Sequence, residues 1–452
     1  MNIIIVGCGK VGETVAHRLN NEDNNITILD IDEKKVTAIS QGSDIMGYTG
    51  SGTSAEILRD VDAANADLLI ALTNSDERNI LCCLIAKNLG VKRVMARVRT
   101  PDYRKQIDFL QNDLKIMPIN PELTAASEIA RILQFPSAIG VDTFMRDKVE
   151  LLTFKLPDEC VLEGMPVKSV VTQIADVLVC IVKRDGAAFI PNGDFVFEKG
   201  DVASIIAPHK EVHKFFKKIK YKNEPVRDVM IVGGGETGYY LASDLKRSGI
   251  SVKLIEKDKE RCDELSTALE GVNILWGEAN AELLLEEGVA SAEGFVALTN
   301  VDVENILLSL SAAEHSTGRK KIITKINRTE SDSLINRLSQ DLDTIIHPKE
   351  LTADTIARHV RAMKNTIGSN VETLYNVVPG QIEAAEFRIV EGSPIIGKNL
   401  RDLHFKDSTL IAAINRNNRP FIPRGVDKIE ARDSVVVVTK IKALTDIQDI
   451  LE

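Results

Sequence analysis

Two stretches of this 452-residue chain carry residue types that grip a phosphate. Gly7-Cys8-Gly9-Lys10-Val11-Gly12 and Gly233-Gly234-Gly235-Glu236-Thr237-Gly238 each follow a short apolar run and open an amphipathic segment. In that strand-to-helix setting G-x-G-x-x-G is informative. The first glycine permits a tight turn, the second lets phosphate approach the backbone, and the third lets helix and strand pack closely; N–H groups at the helix start then face the anion. An acid ends the next apolar run in both copies, Asp30 and Glu256. A carboxylate there accepts hydrogen bonds from both ribose hydroxyls and repels a 2′-phosphate, which favours NAD over NADP.

YTGSGTSAEIL (48–58) and ALTNSDERN (71–79) follow the third and fourth apolar runs. Sites in doubly wound sheets lie at the carboxyl ends of strands, so Ser51, Gly52, Thr53, Thr73 and Asn74 are candidates for an adenosine pocket. The same residue types also cap helices. Arg97 and Arg99 end VMARVR within reach of a phosphate, although exposed arginines often do nothing. The two loops differ in charge, Lys10 against Glu236. A cation there helps to bind a polyphosphate and a carboxylate repels one. The competing reading of either loop is close helix–strand packing in an empty α/β domain.

Nothing beside these loops suggests turnover. A dehydrogenase needs a His, Lys or Tyr relay facing its cofactor, and the seven histidines do not recur between the copies. P-loop, nucleophile-elbow and H-E-x-x-H patterns are absent from the sequence. No catalytic residue and no metal ligand is expected. The six cysteines lack paired C-x-x-C spacing and lie mostly in apolar stretches, which favours buried thiols.

Short apolar runs alternating with amphipathic segments from Asn2 predict an α/β fold, a doubly wound parallel sheet with helices on both faces. A shift of 226 positions lays Gly7 on Gly233, Asp30 on Glu256, ALTN (71–74) on ALTN (297–300) and Asn79 on Asn305. PELTA (121–125) is answered by KELTA (349–353), each heading a predicted helix. Between and after these blocks the chain turns strand-rich. Asp185-Gly186, Asn192-Gly193 and Asn417-Asn418 predict hairpins, and FIP recurs at 189–191 and 421–423. The order is large, small, large, small: Rossmann-like domains at 1–136 and 223–365, small α+β lobes at 137–222 and 366–452. KKIKYKNEPVR (217–227) is the natural boundary between the halves.

Composition narrows the partners. With 56 Lys plus Arg against 66 Asp plus Glu, the formal charge of −10 disfavours nucleic acid and anionic lipid surfaces. No apolar run approaches the roughly 18 residues of a membrane span, and a strand starting at Asn2 leaves no room for a signal peptide. A cytoplasmic location without direct membrane insertion is expected.

Two glycine loops, four lobes and no visible catalyst resemble the TrkA family, the cytoplasmic regulatory subunits of Trk-type potassium uptake systems, built from two tandem RCK units. The resemblance spans essentially the whole chain. It implies regulatory binding of NAD(H) or ATP/ADP, a homo-oligomeric ring, and a separate potassium-translocating membrane subunit as partner at the inner face of the membrane. Residues matching the family's nucleotide contacts are Gly7 to Gly12, Asp30, Ser51, Thr73, Asn74 and Arg97. In the second unit they are Gly233, Gly234, Gly235, Glu236, Thr237, Gly238, Glu256, Thr299, Asn300 and Lys325. Glu236 departs from the pattern. Two rivals stay open: an NAD-dependent oxidoreductase, and an RCK-type regulator of another cation transporter or antiporter.

Overall fold

The computed structural model describes residues 1–22, 24–41, 43–100, 106–107, 109–135, 140–145, 148–156, 160–174, 176–219, 226–316, 320–327, 342–365, 371–378, 381–441, 444 and 446–452. Most of the 217–227 connector, and the positions expected to separate the lobes near 136, 222 and 366, lie outside the described residues. The chain forms two compact units, each drawing on both halves of the sequence: Met1–Gln134 with Pro225–Ala357, and Phe135–Glu224 with Arg358–Glu452.

The first unit holds two Rossmann-like domains. In the first, β1 (Asn2–Val6), α1 (Lys10–Asn20), β2 (Asn25–Asp30), α2 (Glu33–Ser40), β3 (Ile45–Thr49), α3 (Ala55–Asp60), β4 (Leu68–Ala71), α4 (Asp76–Asn88), β5 (Arg93–Arg97) and β6 (Ile116–Ile119) precede α5 (Pro121–Gln134). The strands form one sheet in the order β3-β2-β1-β4-β5-β6, parallel throughout. Parallel strands covered on both faces must be apolar along their length, and Ile3, Ile4, Ile5, Leu68, Leu69 and Ile70 are all buried. The order reverses between β1 and β4, which opens the crevice where ligands of such sheets bind.

Before the second copy comes the first small lobe, β7 (Gly140–Phe144), β8 (Val149–Lys155), β9 (Leu178–Arg184), β10 (Ala187–Phe189), β11 (Val202–Pro208) and α6 (His209–Lys218). The second Rossmann-like domain runs β12 (Asp228–Val232), α7 (Glu236–Arg247), β13 (Ser251–Glu256), α8 (Lys259–Ala268), β14 (Asn273–Trp276), α9 (Ala281–Glu286), β15 (Gly294–Ala297), α10 (Asp302–Glu314), β16 (Lys321–Lys325), β17 (Thr344–Ile346) and α11 (Pro348–Asn365). Its sheet repeats the first order, β14-β13-β12-β15-β16-β17.

The two domains are joined by α5 lying on α7. Ala126, Ile129, Ala130 and Leu133 recur at helical spacing on α5 and are buried in one cluster with Tyr240, Leu241 and Leu245 of α7. The Tyr240 hydroxyl donates to the Arg99 carbonyl at 2.7 Å and accepts from Asn120 Nδ2 at 3.2 Å. Charge also joins α1 and α11: Arg18 pairs with Glu350 at 3.2 Å and Asp354 at 3.0 Å.

The second unit combines the first small lobe with β18 (Val371–Val378), β19 (Ile382–Arg388), β20 (Thr409–Arg416), β21 (Arg419–Phe421) and β22 (Ser434–Thr439). Strand orders β10-β9-β11-β8-β7 and β18-β19-β22-β20-β21 are the same order read in opposite directions. Cys180, Ile181 and Ile206 of one lobe share a core with Ala384, Ala413 and Val436 of the other. Asp185-Gly186 and Asn417-Asn418, all at positive φ, turn the β9–β10 and β20–β21 hairpins. Asn192-Gly193 does not join two strands: it lies beyond β10, where the Asn192 side chain and carbonyl close a turn onto Asp194 and Phe195. All six cysteines are buried and free. No helix among the described residues is long and apolar enough to cross a membrane.

Candidate functional site

Each glycine loop is shaped by what a side chain would hit. Gly7 sits at φ +108°, and a Cβ on Gly12 would come within 1.9 Å of the Gly7 carbonyl oxygen. Gly233 and Gly238 repeat this, at φ +109° and 2.1 Å. A Cβ on Gly9 or Gly235 meets nothing within 4 Å. These two glycines occupy the N-caps of α1 and α7 without any side-chain cap bond, so the helix N-terminal N–H groups face open space.

The acids brace the loops. Asp30 Oδ2 accepts the Cys8 N–H at 2.6 Å, and Oδ1 accepts the Asp32 N–H at 2.9 Å. Glu256 does the same for Gly234 N–H at 2.6 Å and for the N–H groups of Lys257 and Asp258 at 2.8 and 2.9 Å. Burial and the neighbouring Asp30 carboxylate push the Cys8 thiol up to about 12, so it stays a neutral filler of the loop.

A second buried device was not given a role from sequence, although the Asn79–Asn305 match was its signal. Asn79 Oδ1 accepts from Thr73 N–H at 2.9 Å and Thr73 Oγ1 at 2.7 Å, while its Nδ2 donates to the carbonyls of Thr73 and Arg97 at 3.2 and 2.9 Å. Asn305 ties Thr299 to the Lys325 carbonyl in the same way. Each asparagine thus fixes the ends of the fourth and fifth strands against each other. In the first domain Asp76 extends the device, accepting from Arg99 N–H, Thr100 N–H and Thr100 Oγ1. Burial opposes its charge, but these bonds and the Arg99 guanidinium outweigh it and hold the carboxyl below the usual range.

Other candidates of the first domain are engaged locally. Ser51 Oγ and Thr53 Oγ1 lie 2.9 Å apart, and a Cβ on Gly52 would strike Val6. The Asn74 carbonyl accepts from the Arg99 guanidinium. Arg97 Nη2 donates to Glu122 Oε1 at 2.9 Å.

In the second domain a cavity of about 620 Å³ opens at the loop, lined by Gly233, Gly235, Glu236, Thr237, Gly238, Glu256, Thr299, Asn300 and Lys325. Gly234 is not on its wall; it packs beneath Leu265. Arg99, Pro121 and Glu122 of the first domain complete the wall. Arg99, read from sequence as within reach of a phosphate, stands at the second loop, because α5 on α7 carries the end of the first sheet there. Arg261, unforeseen in sequence, covers the loop: its Nε donates to the Gly234 carbonyl at 2.9 Å and its Nη2 lies 3.4 Å from Glu236 Oε1. Burial raises the Glu236 pKa, partly offset by Arg261. The carboxylate that repels a polyphosphate thus has a guanidinium beside it.

Comparison with known proteins places the whole chain. The TrkA-N domain model matches residues 3–118 and 229–348, and the TrkA-C domain model matches 151–220 and 384–452. The Trk system potassium uptake protein TrkA homolog of Archaeoglobus fulgidus is 31% identical over 454 residues, covering 100% of both chains. The Trk system potassium uptake protein TrkA of Vibrio alginolyticus is 30% identical, covering 100% of this chain and 99% of its own. Among solved structures, the GsuK RCK domain superposes with a TM-score of 0.62 at 17% identity, over 98% of this chain and 93% of that one. The GsuK channel bound to NAD gives 0.63 at 17% identity, over 98% and 77%. With both domain models matched twice in alternation and full-length relatives at this identity, the chain belongs to the TrkA family.

Proposed function

We propose that the chain is the nucleotide-sensing regulatory subunit of a Trk-type potassium uptake system and acts by binding rather than by turnover. The observation that carries this reading is the repeated combination of an open helix N-terminus with a carboxylate-braced glycine loop, in a member of a family named for potassium uptake. A protein of the same fold is known bound to NAD. In this reading the N-termini of α1 and α7 take the phosphates of NAD(H) or ATP/ADP, Lys10 adds charge at the first, and Asp30 and Glu256 reach the ribose. Ser51, Thr73, Asn74 and their counterparts Thr299 and Asn300 flank the adenosine. The lobes at 1–136, 137–222, 223–365 and 366–452 are the units of a homo-oligomeric ring beneath a potassium-translocating membrane subunit, which holds the protein at the cytoplasmic face. A nucleotide does work on that partner only through its differential affinity for two ring states. Couplings of about 1–3 kcal/mol per site add across several copies and decide between open and closed pores.

Calorimetry of the full chain with NAD, NADH, NADP, ADP and ATP tests the binding half. At least one ligand without a 2′-phosphate should bind, more tightly than NADP, and Asp30→Ala should weaken it by about 1–3 kcal/mol. Tighter NADP binding, or no binding at all, overturns the site. The gating half is tested by potassium flux through the co-purified membrane subunit in proteoliposomes; flux indifferent to this chain and to nucleotide overturns it.

A further inference from the structure

Glu122 links the wall of the second cavity to Arg97, a candidate contact of the first site. It is the second residue of α5, stands in the wall of the second cavity, and accepts a 2.9 Å hydrogen bond from Arg97. Arg97 holds in the first domain the place of Lys325 in the second: each ends the fifth strand, and the carbonyl of each accepts from Asn79 or Asn305. The second oxygen of Glu122, Oε2, is buried and makes no hydrogen bond.

Lys325 faces Glu122 from the second domain. It is 7% exposed, lines the cavity, and its ammonium has no hydrogen-bond or ion-pair partner among the described residues. Burial lowers its pKa, while the charges of Asp302 and Glu122 act against that. A shielded, unpaired ammonium gains by taking an anion that becomes available. Two anions compete for it, the ligand of the second cavity and a freed Glu122. The counterpart residue Glu350 is engaged differently: it pairs with Arg18 of α1 at 3.2 Å.

We propose that Glu122 couples the two nucleotide sites with negative sign: a polyphosphate that draws Arg97 to itself in the first site releases Glu122 to Lys325, and the second site then holds an anionic nucleotide less tightly. By linkage, a ligand on Lys325 weakens polyphosphate binding at the first site by the same factor. This inference rests on the reading of both loops as nucleotide sites.

The chain carries its own reporter. Trp276 is the sole tryptophan, 65% exposed at the end of β14, and its indole N–H donates at 3.0 Å to the carbonyl of Lys257, which lines the second cavity. NADH titrated into the full chain quenches Trp276 as it fills the second site, without and then with saturating ATP. In the wild type, ATP should raise the apparent Kd for NADH by about fivefold or more. Gly9→Asp, whose Cβ meets open space, puts a carboxylate where the first site's phosphates bind; it should leave only ATP's direct competition at the second loop. Glu122→Gln should reduce the ATP effect to the same residue of competition, with an unchanged melting temperature as the folding control. Lys325→Met should weaken NADH itself and abolish the coupled part. An ATP effect as large in Gly9→Asp as in the wild type identifies plain competition and overturns the coupling. So does an effect that survives Glu122→Gln, or wild-type binding of both ligands with no mutual effect. Failure of either ligand to bind in calorimetry overturns the nucleotide reading itself.

Discussion

In the first loop Gly7 stands at φ +108° and leaves 1.9 Å between its carbonyl oxygen and a methyl on Gly12; in the second, Gly233 stands at +109° and leaves 2.1 Å at Gly238. Backbone, bracing acid and asparagine latch agree as closely. What differs is charge. Lys10 is exposed at the start of α1, whereas Glu236 is half-buried at the start of α7 between Arg261 and a wall supplied by the other domain. Duplication has kept the packing that makes a loop and altered the groups that would choose its ligand, because packing errors cost stability in both copies while a charge at an open N-terminus costs little.

The largest effects should be steric. Gly12→Ala and Gly238→Ala each push a methyl into a backbone oxygen and should destabilise their own domain by about 3 kcal/mol or more. Gly9→Ala and Gly235→Ala enter open space and should cost less than about 1 kcal/mol. Denaturant unfolding of the four variants measures this, and a tolerant Gly238→Ala beside a damaging Gly12→Ala would mean that the loops are not packed alike.

A smaller difference is expected at the latches. Asn79→Ala and Asn305→Ala each strand buried backbone groups, at about 2–3 kcal/mol. Asn79 also accepts from the Thr73 hydroxyl, so its loss should exceed that of Asn305 by about 1 kcal/mol. Equal losses in the same unfolding assay would show that the extra bond contributes nothing net.

The smallest effects sharpen the charge difference. Lys10→Glu should weaken ATP or ADP at the first site and Glu236→Lys should strengthen it at the second. About 4 kcal/mol acts between unit charges 4 Å apart at an effective dielectric of 20, and solvent screening leaves on the order of 1 kcal/mol for exposed Lys10. Glu236→Lys, being half-buried, should move affinity more. Adenosine, without phosphate, should respond to neither. Burial places the folded pKa of Glu236 above its unfolded value. Its ionised form is therefore disfavoured in the fold at neutral pH, and that penalty is relieved as pH falls through the folded pKa. Anion affinity at the second site should rise on acidification, and the rise should vanish in Glu236→Gln; a rise that survives belongs to another group.

Much of each domain was legible because it is local. A glycine run after IIIV or MIVG, an acid one strand later and a turn pair such as Asp185-Gly186 state their geometry within a few tens of residues, and the repeat stated it twice. Asn192-Gly193 misled for the same reason: the dipeptide fixes a turn but not the pairing of the chain beyond it, and the next strand, β11, pairs with β8 and β9 instead of β10. That Arg97 pairs with Glu122 was not legible, because the partner lies 25 residues away across a helix boundary.

The order of the four lobes, the two loops, their acids and the exchange of Lys10 for Glu236 can all be read along the chain. That like packs with like across the halves, that α5 lies on α7, and that Arg99 and Glu122 of the first domain wall the cavity of the second emerges from the folded chain alone. The apolar stripe on α5 dictates that a face be buried and does not name the surface that buries it, since the hydrophobic effect is non-directional. The partner is chosen by the fit of whole surfaces, here sealed by Tyr240 reaching the Arg99 carbonyl across 141 positions of sequence.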